Sequence, residues 1–172
     1  MDHVTEPLCD AILSKIHEQI ERTDHLIAIL SPEQLNWAPE ISGAWRTAIV
    51  LGHLLDCLAG ICAVLVAVQP EKLAYFNRLR ETRIETPHTA QEVRDGLALY
   101  QKHIDAGFAV LEDADLARRI PTAFVKSGEP VLTLLLGNLE HLINHKHQLF
   151  MYLKLMGASV ASQDLYRFRT ES

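Results

Sequence analysis

Residues 137–157 read GNLEHLINHKHQLFMYLKLMG, and this stretch decides how the rest of the chain is understood. His141 and His145 stand four residues apart, so on a helix they share one face, about 40° from each other. Leu134, Asn138, Gln148 and Tyr152 fall in the same angular band, while Leu135, Leu142, Leu149 and Leu153 flank it with the character of a core. The spacing predicts a long helix with a polar line let into an apolar surface. Two imidazoles at this spacing make half of a helix-borne metal site. His147 points about 120° away from His141 and further from His145, so the third ligand is expected from another helix.

The other helix is expected from about Ala44 to Val68. From Cys57 to Val68 it is apolar or glycine on every side, and His53 and Asp56 are its only strongly polar side chains between Thr47 and Gln69. A membrane span needs roughly 20 uninterrupted apolar residues, and His53 and Asp56 interrupt the one window long enough, so no membrane is expected. A helix apolar all round in a soluble protein lies in a core or at a subunit seam, and both are expected here, with Ala63, Val66 and Ala67 at a homodimer interface. Three readings compete for His53: a hydrogen-bonded core histidine, a surface position, and the missing ligand. Beside the His141/His145 pair the ligand reading is preferred. Asp56, three residues on, is expected as an acceptor behind the ligand rather than a direct one.

Further outward, the apolar face recurs at Leu8, Ile12, Ile16, Ile20, Thr23, Ile27 and Leu30, the pattern of a first helix. Ser31-Pro32-Glu33-Gln34 then carries a cap, a proline for the first turn and a Gln three residues on. Asn36 to Gly43 is a loop by its proline and glycine. Pro70 to His88 is expected as an irregular segment or short helix. Thr89-Ala90-Gln91-Glu92 has the form of a capping box and opens a third helix through Val93, Leu97, Tyr100, Ile104, Phe108 and Leu111. A linker with a turn at Lys126–Glu129 follows, and Pro130 and Gly157 bracket the fourth helix. The last dozen residues are expected to pack loosely. His17, His25 and His103 are read as border histidines, not ligands. Four long helices without a strand pattern predict an all-α four-helix bundle, one domain over residues 1–172.

Composition narrows the function. A net charge of −6 without clustered Lys and Arg argues against a nucleic-acid partner. Cys9, Cys57 and Cys62 are odd in number and two lie in apolar runs, as suits buried thiols in a reducing compartment. With no basic start or apolar block at the N-terminus, the expected address is the cytoplasm. The chain carries no GxSxG, glycine-rich phosphate loop, HExxH or CxxC to support a rival chemistry. Three neutral imidazoles can hold Zn²⁺, Ni²⁺ or Fe²⁺ and leave a coordination position open for water or a thiol.

Trp45 followed by Gly52-His53-Leu-Leu-Asp56, then His141-Leu-Ile-Asn-His145-Lys-His147-Gln148, then Tyr152-Leu-Lys-Leu-Met-Gly157 resembles the DinB/YfiT-like superfamily, and with Ser31–Leu35 the likeness covers nearly the whole chain. The resemblance implies an up-down-down-up bundle, often a dimer, with a divalent metal held by His53, His141 and His145. Many relatives have His-Arg-Gly-Gln where this chain has His145-Lys146-His147-Gln148, which adds bulk and a titratable group beside the ligand. The resemblance further implies, for some members, thiol-dependent S-transferase or isomerase activity with a low-molecular-weight thiol. The expected function is a metal-dependent enzyme of that kind acting on a small molecule, with Asn138, Gln148 and Tyr152 lining the cofactor pocket. A metal-dependent hydrolase and a non-catalytic metal-binding or stress-response dimer are the alternatives.

Overall fold

The computed structural model describes residues 7–76 and 86–167. Four long helices, α1 (Leu8–Ala28), α2 (Thr47–Val68), α3 (Ala90–Phe108) and α4 (Val131–Leu155), form the bundle, and a one-turn helix α5 (Ser162–Leu165) closes it. Helix α2 packs against α3 and α4, and α1 packs against the same two.

Pairs of residues fix the directions. His17 with Asp105 and Asp24 with Arg94 run in opposite senses along α1 and α3, so these two are antiparallel. Leu55 against Gly96 and Leu65 against Gly107 advance together, so α2 and α3 are parallel. His53 with His141, and Gly60 with Asn138, make α2 and α4 antiparallel. The course is therefore up-down-down-up, as expected. The core is a continuous cluster along all four helices, with Leu135, Leu142, Leu149 and Leu153 each fully buried on α4. Helix α2 is long and apolar enough to cross a membrane by composition alone, but it is mostly buried within the bundle. Its outward stripe is small: Ala63 and Ala67 are exposed and Val66 half-buried.

The helix ends are set partly by local signals and partly by contacts from elsewhere in the chain. The α1 amides of Leu8 and Cys9 donate to the Asp113 carboxylate at 2.9 Å each, an N-cap supplied from another part of the chain. Those bonds hold the Asp113 carboxyl below the usual carboxylate range. At α3 the capping box forms as read: Glu92 N donates to Thr89 Oγ1, and Thr89 N to Glu92 Oε2, both at 3.1 Å. Pro32–Asn36 is a 3₁₀ turn. Gly157 ends α4 with φ +83°, the left-handed conformation that lets a helix stop.

Four expectations need correction. Helix α2 begins at Thr47 rather than Ala44, because Thr47 gives both its N–H and its Oγ1–H to the Trp37 carbonyl, at 2.8 and 3.1 Å, and Arg46 is extended. The linker contains a two-residue antiparallel ladder, Arg119–Ile120 with Glu129–Pro130, closed by Gly128 at φ +82°. That ladder is too short for an alternating pattern to announce it. Residues 161–167 are docked rather than loose: Leu165 is buried, and Asp164 accepts from His25 Nε2 at 2.7 Å. Helix α3 ends at Phe108, short of Leu111. Of the connection read over Pro70–His88, residues 77–85 lie outside the described residues, as do residues 168–172 of the tail.

Candidate metal centre

His53 projects from α2, and His141 and His145 from α4, at the same level of the antiparallel pair. The three can each offer one ring nitrogen within 4.8 Å of the others, and among the described residues no fourth His, Cys, Asp or Glu joins them. His141 is exposed, and His53 and His145 are half-buried. His53 Nε2 and His141 Nε2 are 3.1 Å apart. Two imidazole nitrogens each about 2.0–2.1 Å from one ion would lie roughly 2.9 Å apart in octahedral and 3.4 Å in tetrahedral coordination. The His53–His141 separation falls between these, so that pair is spaced for a divalent cation, and His145 brings a third nitrogen within 4.8 Å of both.

The second ring nitrogens of His145 and His53 face acceptors. His145 Nδ1 donates to Gln148 Oε1 at 2.9 Å. His53 Nδ1 lies 3.7 Å from Asp56 Oδ2, the side expected for an acceptor that steadies a ligand. Burial lowers the pKa of His145, the Gln148 hydrogen bond opposes this, and His53 and His141 add to it. The net direction favours the neutral imidazole, the form that binds metal.

Trp45 walls the site. Its ring stacks on His145 with 5.8 Å between centroids and 16° between planes, and meets His53 edge-on at 5.2 Å. With 40% of its own surface exposed, it covers one side of His53 and His145, while His141 stays open to solvent. The sequence placed Trp45 inside the resemblance but gave it no task; its position just before the polar face of α2 was the available signal.

The three residues expected to line a cofactor pocket occupy different places. Gln148 bridges His145 and the Tyr152 hydroxyl, at 2.9 and 3.1 Å. Tyr152 is buried, donates to the Trp45 carbonyl at 3.0 Å and meets Trp37 edge-on. Asn138 is half-buried two turns from His145, against Gly60, and donates to the Leu134 carbonyl. His147 is exposed, beside the Phe150 ring.

His17, His25 and His103, outside the triad, are occupied otherwise. His17 pairs with Asp105 at 2.5 Å and His25 with Asp164. His103 packs against the Tyr75 and Phe76 rings, where burial lowers its pKa. All three cysteines are buried and free. Burial pushes each thiol up to about 12, so none is a nucleophile. A cleft of about 870 Å³ opens between α1 and α3, on the flank opposite the histidines, lined by Asp10, His17, Glu21, Arg94 and Arg167 among others. Its charged walls are partly spent on one another, Arg94 on Asp24 and Arg167 on Glu21, and we assign it no part in the metal chemistry.

The sequence model of the DinB superfamily matches residues 15–149. Two crystal structures share the fold. A DinB-like protein from Bacillus subtilis aligns with a TM-score of 0.68 and 19% identity over 91% of this chain and 99% of its own. One from Bacillus cereus aligns with a TM-score of 0.68 and 18% identity over 89% of this chain and 95% of its own. Comparison with curated proteins gave no match.

Proposed function

Since the chain belongs to the DinB superfamily, we propose that it is a divalent-metal-dependent enzyme whose ion is held by His53, His141 and His145. The observation that carries this reading is a three-nitrogen donor set with one exposed member and no fourth protein donor among the described residues. Structural zinc sites are four-coordinate and closed, whereas catalytic ones keep a position open. When bound, a divalent ion would supply Lewis acidity, lowering the pKa of a thiol or water held beside it.

The chain's own residues support a thiol from outside. Its cysteines are buried and held protonated, so a sulfur nucleophile would have to be a low-molecular-weight thiol cofactor. Trp45 offers that thiol or its electrophile an apolar wall, and the half-buried Asn138 lies two turns along α4 from His145, against Gly60 of α2. Thiol transfer or isomerisation on a small molecule, in the cytoplasm, is the proposed activity. A hydrolase reading uses the same open position and is favoured to the extent that exposed His141 admits water. The small outward stripe of α2 at Ala63, Val66 and Ala67 is the proposed homodimer seam.

The test is a panel of low-molecular-weight thiols and electrophiles assayed with zinc-, nickel- and iron-loaded protein, beside ester and amide substrates. Activity that requires both metal and thiol, and is lost in His141→Ala, supports the transferase. Metal-dependent turnover without thiol would move the assignment to a hydrolase.

A further inference from the structure

A single line of hydrogen bonds runs from His145 Nδ1 to the Gln148 side-chain amide, on to the Tyr152 hydroxyl and then to the Trp45 carbonyl, at 2.9, 3.1 and 3.0 Å. Only its last member has a fixed role, because a backbone carbonyl accepts and never donates. Tyr152 must therefore give its proton to Trp45 O. The phenol oxygen then accepts from the Gln148 NH₂, which turns Gln148 Oε1 toward the imidazole. An amide oxygen accepts only, so Nδ1 of His145 carries the proton and Nε2 keeps its lone pair. With the amide reversed, Gln148 Oε1 and Trp45 O would both face a hydroxyl that has one proton. Tyr152 is only 6% exposed, so water is poorly placed to repair the mismatch.

We propose that Gln148 and Tyr152 are positioning residues that read the Trp45 carbonyl and thereby set the tautomer of His145, presenting Nε2 to the metal. The inference rests on the triad reading for its purpose but not for its geometry. Trp45 acts on His145 twice. Its carbonyl ends the line that fixes the proton, and its ring, stacked at 16°, fixes the plane of the imidazole. The loop before α2 thus prepares a ligand borne on α4. The intrinsic preference of a histidine side chain is for the opposite, Nε2–H form, so the line works against that preference and its loss is observable.

The test uses ¹⁵N-labelled, metal-free full-length protein at about pH 8, above the usual histidine titration, with two-bond ¹⁵N–¹H correlation of the imidazoles. Wild type should show His145 in the Nδ1–H form. Tyr152→Phe removes the proton that points the line, so His145 should move toward Nε2–H and zinc affinity should fall about 10–100-fold. Gln148→Glu placed in the Tyr152→Phe background should restore the Nδ1–H form and most of the affinity, because a carboxylate can only accept. Should Tyr152→Phe fold poorly, Gln148→Met at the half-buried position should give the same tautomer shift. A wild type already in the Nε2–H form, or a Tyr152→Phe protein that keeps Nδ1–H, overturns the proposal. Wild-type protein that shows the Nδ1–H form, loses it in Tyr152→Phe and yet binds no zinc would overturn the triad and uphold the line.

Discussion

Protonation of His145 opposes the folded state. Its folded pKa is depressed below the ordinary 6.5, chiefly by burial, so as pH falls the unfolded chain takes up the proton first. The stability that this residue contributes is complete above about 6.5 and is lost as pH falls through the folded value. Urea melts of metal-free protein at pH 7 and pH 5 (roughly the range over which histidine titrates) should show wild type losing more stability on acidification than His145→Leu. Equal losses would mean His145 is not buried as described. Lys146, its neighbour, shows what a reading by motif misses. It is 2% exposed, with Nζ donating to Gln19 Oε1 at 2.6 Å and to the Leu165 carbonyl at 2.7 Å. Burial pushes its ammonium down to about 8, with Glu18 opposing. Because the folded pKa is the lower one, stability should rise as pH increases from about 8 to 10.5, and Lys146→Met should flatten that rise. The signal was available, since Lys146 lies on the stripe of Leu139, Leu142, Leu149 and Leu153, but the sequence reading assigned it no place in the core. The His141/His145 pair was legible, since a four-residue spacing fixes a helical face wherever the helix ends, whereas the ligand role of His53 on the other helix was one of three readings until the fold set it beside them. The hydrogen-bond line beyond the triad was not legible, because it depends on where a loop carbonyl comes to rest.

The helices were legible to within a few residues because α1 and α3 carry a clear apolar period, α3 its own capping box, and α4 its bracketing proline and glycine. The misplaced start of α2 came from a tertiary contact, Thr47 on Trp37, that no local pattern encodes. The ladder at Arg119–Ile120 and the docking of α5 were likewise invisible, one too short and the other dependent on partners in α1 and α4. Packing between elements gives a direct test. A Cβ added at Gly107 of α3 would stand 2.5 Å from Leu65 Cδ1 and 3.1 Å from its Cβ, so the close parallel approach to α2 needs glycine there. Gly107→Ala should destabilise by about 1–3 kcal/mol through overpacking, outweighing a helix-propensity gain of about 1 kcal/mol. Gly137→Ala, where nothing lies within 4 Å of the added carbon, should instead stabilise by up to about 1 kcal/mol. Thermal melts followed by circular dichroism report both, and the same sign for both would contradict the packing described.

At the scale of the molecule, metal and fold should separate. Apolar burial holds the bundle together, each fully buried Leu or Ile contributing roughly 1.5–3 kcal/mol, and the triad sits at its edge with His141 exposed. Chelation should leave the helical circular dichroism nearly unchanged and lower the melting temperature only modestly, unlike a zinc finger, which unfolds without its ion. Wholesale loss of helix would make the ion structural and favour a non-catalytic protein. For the proposed dimer, sedimentation at micromolar concentration should give twice the chain mass, and Ala63→Glu/Ala67→Glu should give one. The central claim is that His53, His141 and His145 hold one divalent ion, and its most direct measurement is metal content and zinc titration at neutral pH for wild type and His53→Ala/His145→Ala. About one ion per chain in wild type, lost in a double variant that keeps its helical spectrum, is the predicted result. Full metal content retained by that folded double variant would contradict it.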